Sequence, residues 1–403
     1  MMVLAFAAAV SRPGLAQRLG PAEERPRLRD VADTNDAQAY YNLGLATFGR
    51  DVETAAAAFY WAARINPAWG EPLYGRRAAL LMKDKHMMAR VLDRDRGALE
   101  SPEVKRLDSL QFRALMLSPF LYRRLERPMF VAYIKEEVMR QSRMTGEDVS
   151  PLELDDAIKQ YLRGAKPSTR AWAYYSDGNF DAALENYARA LETARDKAYL
   201  RLERGRIFGM RGATDSAVSE MRIAIEELRK QDKKELVVLY DSKAMTEYSI
   251  ATLLEGAGDA EGAREAYGEA LQEDLSYYPA HMRLGLLALG RRDTTTALSE
   301  LALAAQLAPG EPHIRYVNGF VLSATRHLPD ALKELQTTVE LEPYYALPYL
   351  QLGRVHEQMD HGPEALASYQ EFLARASQTD PQRQWATDRV NEIKEILNPG
   401  FKP

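Results

Sequence analysis

An alanine recurs at a fixed interval through the C-terminal part of the chain. In the context A-x-x-x-(Tyr/Leu/Met) it stands at Ala183, Ala217, Ala263, Ala297, Ala331 and Ala365, with spacings of 34, 46, 34, 34 and 34 residues. Twelve residues before each stands a small residue: Ala171, Gly205, Ala251, Gly285, Gly319 and Gly353. Four residues after each stands a large one: Tyr187, Met221, Tyr267, Leu301, Leu335 and Tyr369. Seven after come Ala190, Ala224, Ala270, Ala304, Thr338 and Phe372. Pro309 and Pro343 close two of the units. A period of this length marks a stack of supersecondary units.

The spacings define two amphipathic helices per unit, joined by a short turn. The small residue and the alanine let the two backbones approach closely. The large residue is expected to fill the groove between neighbouring units, and the proline ends the second helix. One unit cannot bury its apolar face alone, so stability comes from stacking.

This ladder resembles the tetratricopeptide repeat (TPR) family, most clearly in LGLLALGRRDTTTALSELALAAQLAP (284–309) and LGRVHEQMDHGPEALASYQEFL (352–373). The resemblance implies an all-α solenoid of helix–turn–helix hairpins wound into a right-handed superhelix. Six repeats are expected over 164–379, with an excess of 12 residues around Lys230–Lys243; its run LVVLY reads as helix, for want of a partner strand. Degenerate TPR-like hairpins are expected over 36–99, where 39–67 copies the pattern with a shortened turn. Residues 100–163 read as an irregular helical insertion. There Ser101-Pro102, Ser118-Pro119 and Ser150-Pro151 look like helix starts, and the apolar stretch 111–134 is expected to pack internally and bridge the two repeat blocks. Its alternative is an exposed surface for a partner. Residues 380–403 read as a capping helix and tail, with Asp380 as cap and Trp385, Ala386, Val390, Ile393, Ile396 and Leu397 on one apolar face.

At the other end, Val3–Val10 is apolar and Gly14 and Ala16 are small, so 1–17 reads as a candidate signal peptide, followed by a linker over 18–35. The expectation is an exported or periplasmic protein, with a cytoplasmic one as the alternative. The run is far too short to span a bilayer.

The chemistry-bearing motifs are few. GAGDAEGAREAYG (256–268) places its third glycine one residue late for a dinucleotide loop and follows a helix pattern, and no G-K-(Ser/Thr) occurs, so the glycines read as a repeat's turn. The chain has no cysteine, which excludes disulfides and thiolate chemistry. Six histidines show no metal-ligand spacing. A net charge of −5 is not built to grip nucleic acid. No catalytic constellation and no cofactor site is expected.

What the resemblance adds is a concave groove lined by the first helix of each pair. Mapped onto this chain, the candidate groove residues are Met245, Tyr248, Met282, Leu286, His313, Tyr316, Phe320, Leu350 and Arg354. The aromatic and apolar members would anchor a peptide or amphipathic helix and Arg354 would orient it. The family's carboxylate clamp is not matched, since Ser168, Trp172, Glu203, Met245 and Ser249 stand at its positions. The expected function is a non-catalytic protein-binding scaffold in the bacterial envelope or periplasm. The alternatives are a structural subunit of an envelope complex and a cytoplasmic adaptor.

Overall fold

Six turns repeat one backbone device. Gly178, Gly212, Gly258, Arg292, Arg326 and Asp360, spaced like the alanines, all have positive φ, between 60° and 85°. The residue after each donates its N–H five residues back at 2.9 Å: Asn179 to Tyr174, Ala213 to Phe208, Asp259 to Leu254, Asp293 to Ala288, His327 to Leu322 and His361 to His356. This left-handed closure satisfies carbonyls that a helix end otherwise leaves bare. The next helix then starts at once, and the Asn179, Asp259 and Asp293 side chains cap it by accepting from the N–H of Ala182, Gly262 and Thr296. Gly258 and Gly262 in the glycine-rich stretch are thus elbow and capped first turn. The shortened N-terminal hairpin turns without a left-handed residue; Asp51 still caps its second helix.

The computed structural model describes residues 23–29, 33–146, 154–195, 197–230 and 242–397. The candidate signal peptide, the Ser150-Pro151 helix start, the LVVLY run and the tail past Leu397 lie outside these residues. Among the described residues there are helices and loops but no strand, and no helix is long and apolar enough to cross a membrane.

The chain divides into two compact units. In the first, Glu23–Ala280, the helices are α1 (Ala37–Thr47), α2 (Val52–Ile65), α3 (Gly70–Lys83), α4 (Lys85–Leu92), α5 (Arg96–Leu99), α6 (Pro102–Leu117), α7 (Glu126–Thr145) and α8 (Leu154–Gly164). Hairpins follow: α9 (Pro167–Ser176) with α10 (Phe180–Thr193), α11 (Lys197–Met210) with α12 (Thr214–Lys230), and α13 (Lys243–Gly256) with α14 (Ala260–Glu273). The N-terminal helices pack α1 on α2 and α2 on α3, but α3 takes α6 as its partner, skipping the two short helices between them.

The second unit runs from His281. It holds most of α15 (Tyr278–Gly290), then α16 (Thr294–Leu307), α17 (Pro312–Ala324), α18 (Leu328–Leu341), α19 (Ala346–Gln358), α20 (Gly362–Arg375) and α21 (Arg383–Leu397). Each helix packs mainly on its neighbours in sequence, as a solenoid requires.

The large residue of the ladder packs towards the next unit, as Leu335 does with Leu352 and Val355 and Tyr187 with Leu200 and Ile207. It also lies across the small residue of its own hairpin. A methyl on Gly205 would fall 2.8 Å from Met221, one on Gly285 2.8 Å from Leu301, and one on Gly319 2.9 Å from Leu335. Glycine is needed because the partner's side chain occupies the space of a Cβ. Ser118 is corrected: it closes α6 and begins no helix, and the chain stays in turns until α7. The capping helix begins at Arg383, with the Asp380 carboxylate accepting from the Gln382 N–H at 2.8 Å.

Candidate functional site

The inner face of the repeats over 164–280 is filled by the chain's own insertion. Phe112 of α6 meets Tyr277 edge-on at 6.0 Å and Tyr278 at 6.3 Å. Phe120, in the turns after α6, lies against Gly209 of α11 so closely that a methyl there would collide with its ring. Tyr122 packs on Tyr175 and Phe180. Phe130 of α7 stands edge-on to Trp172 at 4.7 Å, and the Trp172 indole donates to Glu126 at 2.8 Å. The stretch 111–134 is therefore core, as its helical apolar spacing suggested, and the reading of it as a free docking surface is set aside.

A buried ion cluster fastens this insertion. Arg123 donates to Glu203 of α11 and pairs with Glu126 at 3.0 Å, while Arg206 adds a second pairing to Glu203 at 2.7 Å. Burial alone would raise the Glu203 pKa, but the two arginines outweigh it and hold it below its ordinary value. Glu126 goes the other way: burial raises it, Glu203 adds to that, and Arg123 offsets only part. Trp172 and Glu203, which stand where the family's clamp would be, thus serve the fold.

Several predicted groove residues share this fate. Met245 and Tyr248 are each 2% exposed, and Met282 and Leu350 each 4%. Met245 accepts a hydrogen bond from the Tyr277 hydroxyl on its sulfur, and Tyr248 donates to the Met116 carbonyl of α6. Leu350 sits in a core cluster with Ala365, Tyr369, Phe372 and Val390. These four are packing residues: Tyr248 is covered by α6, Met245 by Tyr277, and Leu350 by α20 and α21. Leu286 is half-buried. His313 is half-buried as well; burial and the nearby Arg283 push its pKa down to about 4, so it offers a partner no charge at neutral pH.

The second unit does present a surface. Phe320 is 42% exposed and its ring centroid lies 6.4 Å from that of Tyr316, which stands edge-on to Tyr345 at 5.3 Å. The Arg354 charge is felt at Tyr316, lowering a phenol pKa that burial raises. The Arg354 guanidinium lies 4.8 Å from the Trp385 ring centroid and donates to the Gln382 side chain at 3.1 Å. Trp385 of α21 is itself 40% exposed and packs edge-on against Tyr369. Phe320, Tyr316, Arg354 and Trp385 therefore form one aromatic strip with a cation within it. Of the nine predicted groove residues the structure brings Tyr316, Phe320 and Arg354 together. Trp385 and Tyr345 were missed. Trp385 fell on the apolar face of the capping helix, yet only Ala386, Val390 and Ile393 of that face are buried, while Ile396 is 70% exposed.

A family model described as tetratricopeptide repeat matches residues 168–232 and 248–312. The chain is 23% identical over 248 residues to an Hsp70-Hsp90 organizing protein of Triticum aestivum, covering 61% of this chain and 39% of that protein. It is 23% identical over 268 residues to Hsp70-Hsp90 organizing protein 3 of Arabidopsis thaliana, covering 66% and 44%. It thus spans less than half the length of these curated relatives. Among solved structures, yeast Tom70 aligns over 90% of both chains at 13% identity with a TM-score of 0.44. YrrB, described as a TPR protein with an unusual peptide-binding site, covers 51% of this chain and 100% of its own at 17% identity and a TM-score of 0.40. Two family-model matches, laid over a 34-residue ladder that folds into successive helix pairs, show that residues 168–232 and 248–312 are tetratricopeptide repeats.

Proposed function

We propose that the protein is a non-catalytic interaction scaffold that takes a peptide or amphipathic helix on the strip formed by α17, α19 and α21. The observation that carries this reading is the pairing of two large aromatics, Phe320 and Trp385, each about two-fifths exposed, with the Arg354 cation. Exposed aromatics beside an arginine are the side chains that dominate binding energy at protein interfaces. The strip suits a segment with two apolar side chains and a carboxylate, the latter drawn to Arg354. The 164–280 face is excluded from this role because the insertion occupies it. The same reading includes export of the chain, supported by the apolar run Val3–Val10 and the small residues before Gln17; fractionation with N-terminal sequencing of the mature protein tests that part.

The binding role is tested by affinity capture with mass spectrometry, comparing the native chain with Phe320→Ala/Trp385→Ala. Loss of two exposed anchors should weaken capture of a specific partner by about a hundredfold, since each anchor is worth ~1.4 kcal/mol or more. Phe320→Ala alone should leave the melting curve close to native, whereas Trp385→Ala also removes packing on Tyr369 and Arg354 and should lower it. Undiminished capture by the double variant would remove the strip from the mechanism.

A further inference from the structure

The first unit carries a piece of its own chain laid on it as a peptide ligand would be. Residues 23–29 (EERPRLR) form neither helix nor strand and lie against α2 and α3. The Glu23 carboxylate pairs with Arg76 of α3 at 2.7 Å, and the Glu23 carbonyl accepts from the Trp61 indole N–H of α2 at 3.1 Å. Two residues on, the Arg25 guanidinium lies 4.2 Å from the centroid of the same indole. Neighbours hold the receiving groups in place. Arg76 lies over the Tyr60 ring at 4.3 Å, and Tyr60 stands edge-on to Trp61 at 5.8 Å. The surface thus reads a carboxylate, any residue, then a cation, on an extended backbone.

Two observations set this contact apart from ordinary packing. First, the receiving surface is buried and the segment is not. Trp61 is 3% and Arg76 9% exposed, whereas the Glu23 side chain is 41% exposed and no side chain of residues 23–29 is fully buried. An ion pair with an exposed partner contributes little, and an extended segment regains backbone entropy when it leaves. Contacts of this kind open locally while the domain stays folded. Second, the attachments are those of peptide recognition: a charge pair, a main-chain hydrogen bond and a cation over an aromatic face.

We infer that the Trp61–Arg76 surface is a docking site for an extended Glu-x-Arg segment of a protein partner, with residues 23–29 as its resident occupant. The tethered copy acts at an effective concentration in the millimolar range. It therefore excludes chance ligands and yields to a partner that presents the same pattern with further contacts. The site lies on other helices than the strip at Phe320, so either can fail without the other.

The test uses a fluorescein-labelled peptide copying residues 23–29, titrated by anisotropy into the full native chain and into its Glu23→Ala/Arg25→Ala variant. Removing the tethered competitor should make the peptide bind the variant one-to-one and at least about tenfold more tightly than the native chain. A peptide with alanine in place of Glu23 and Arg25 should bind the variant roughly tenfold more weakly, as should the native peptide when Arg76→Gln is added to the variant. The melting curve of Glu23→Ala/Arg25→Ala should stay close to that of the native chain. Absence of saturable binding to the variant overturns the inference. So does equal binding to native chain and variant, or equal binding of the two peptides, because the contact would then lie elsewhere. A clearly lower melting temperature in the variant also overturns it, since residues 23–29 would then be a fixed cap. Concentration-dependent dimers of the native chain that vanish in the variant would give the site to the segment of a second copy and overturn the assignment to a partner.

Discussion

The Tyr248 hydroxyl on α13 donates to the Met116 carbonyl at 2.8 Å, tying the last turn of α6 to a repeat helix 132 residues further along the chain. The final four carbonyls of any helix lack an intrahelical partner, and this one is buried where water cannot supply one. Tyr248→Phe keeps the ring contacts with Tyr267 and Tyr277, both at 5.6 Å, and removes only the donor. It should destabilise the protein by about 1–2 kcal/mol in denaturant melts, with no effect on capture by the Phe320 strip. An unchanged melt would mean that the carbonyl finds another donor.

The Arg123 guanidinium donates both to the Tyr175 hydroxyl, at 3.3 Å, and to Glu203. Arg123→Ala leaves Glu126 and Glu203 buried near each other with one arginine fewer. The expected loss is about 3–5 kcal/mol, the usual consequence of removing one partner from a buried ion cluster. Arg123→Lys should recover only part of it, because an ammonium cannot serve several acceptors in a plane. Equilibrium unfolding of the two variants decides the matter, and a loss below about 1 kcal/mol for alanine would contradict the burial of this cluster.

Glu247 on α13 is 4% exposed, and its pKa is pushed up to about 7 by burial and by Glu269 beside it. The folded pKa lies above the unfolded value, so this group's contribution is fully present below about pH 4.5. It is lost as pH rises through 7. The melting temperature should therefore fall between pH 5 and pH 8, and Glu247→Gln should flatten that part of the profile. A variant with the native slope would assign the dependence to other groups.

Arg326 and Arg292 hold the left-handed turn position with φ of 65° and 62°, where three other repeats have glycine. A non-glycine residue there carries strain of about 1–3 kcal/mol, and glycine adds about 0.5–1 kcal/mol of unfolded-state entropy. Arg326→Gly should thus be neutral to stabilising by up to ~1 kcal/mol. The reverse change, Gly212→Ala at φ 72° with open space around it, should destabilise by a similar amount. Differential scanning calorimetry of the pair measures both signs at once.

The hairpins were readable because Ala183 to Ala365 repeat a contact made within one unit, and local contacts leave a period in the sequence. The left-handed turn position was only half legible. Gly258 announces it, but Arg292, Arg326 and Asp360 carry no such mark, since the closing hydrogen bond rather than the residue type sets the backbone there. The filling of the 164–280 face was not legible in its particulars. Phe112, Phe120 and Arg123 read as helical core, but a contact between positions so far apart leaves no spacing to detect. For the same reason Met245 and Tyr248 looked like groove floor. Trp385 was hidden differently: an apolar stripe shows which side chains share a face, but not how far the neighbouring helix covers it.

The insertion that fills the first unit also changes what kind of object that unit is. A solenoid is nearly one-dimensional, so that repeats can be lost or gained without disturbing distant parts. From His281 onward the chain keeps that freedom, and excising one whole 34-residue unit there should shorten the array while leaving the remaining hairpins intact. Before it, the tie between Met116 and Tyr248 gives the fold a fixed count. Deleting a hairpin would carry Tyr248 away from its acceptor and Gly209 away from Phe120, so evolution can lengthen this protein at one end and not in its middle.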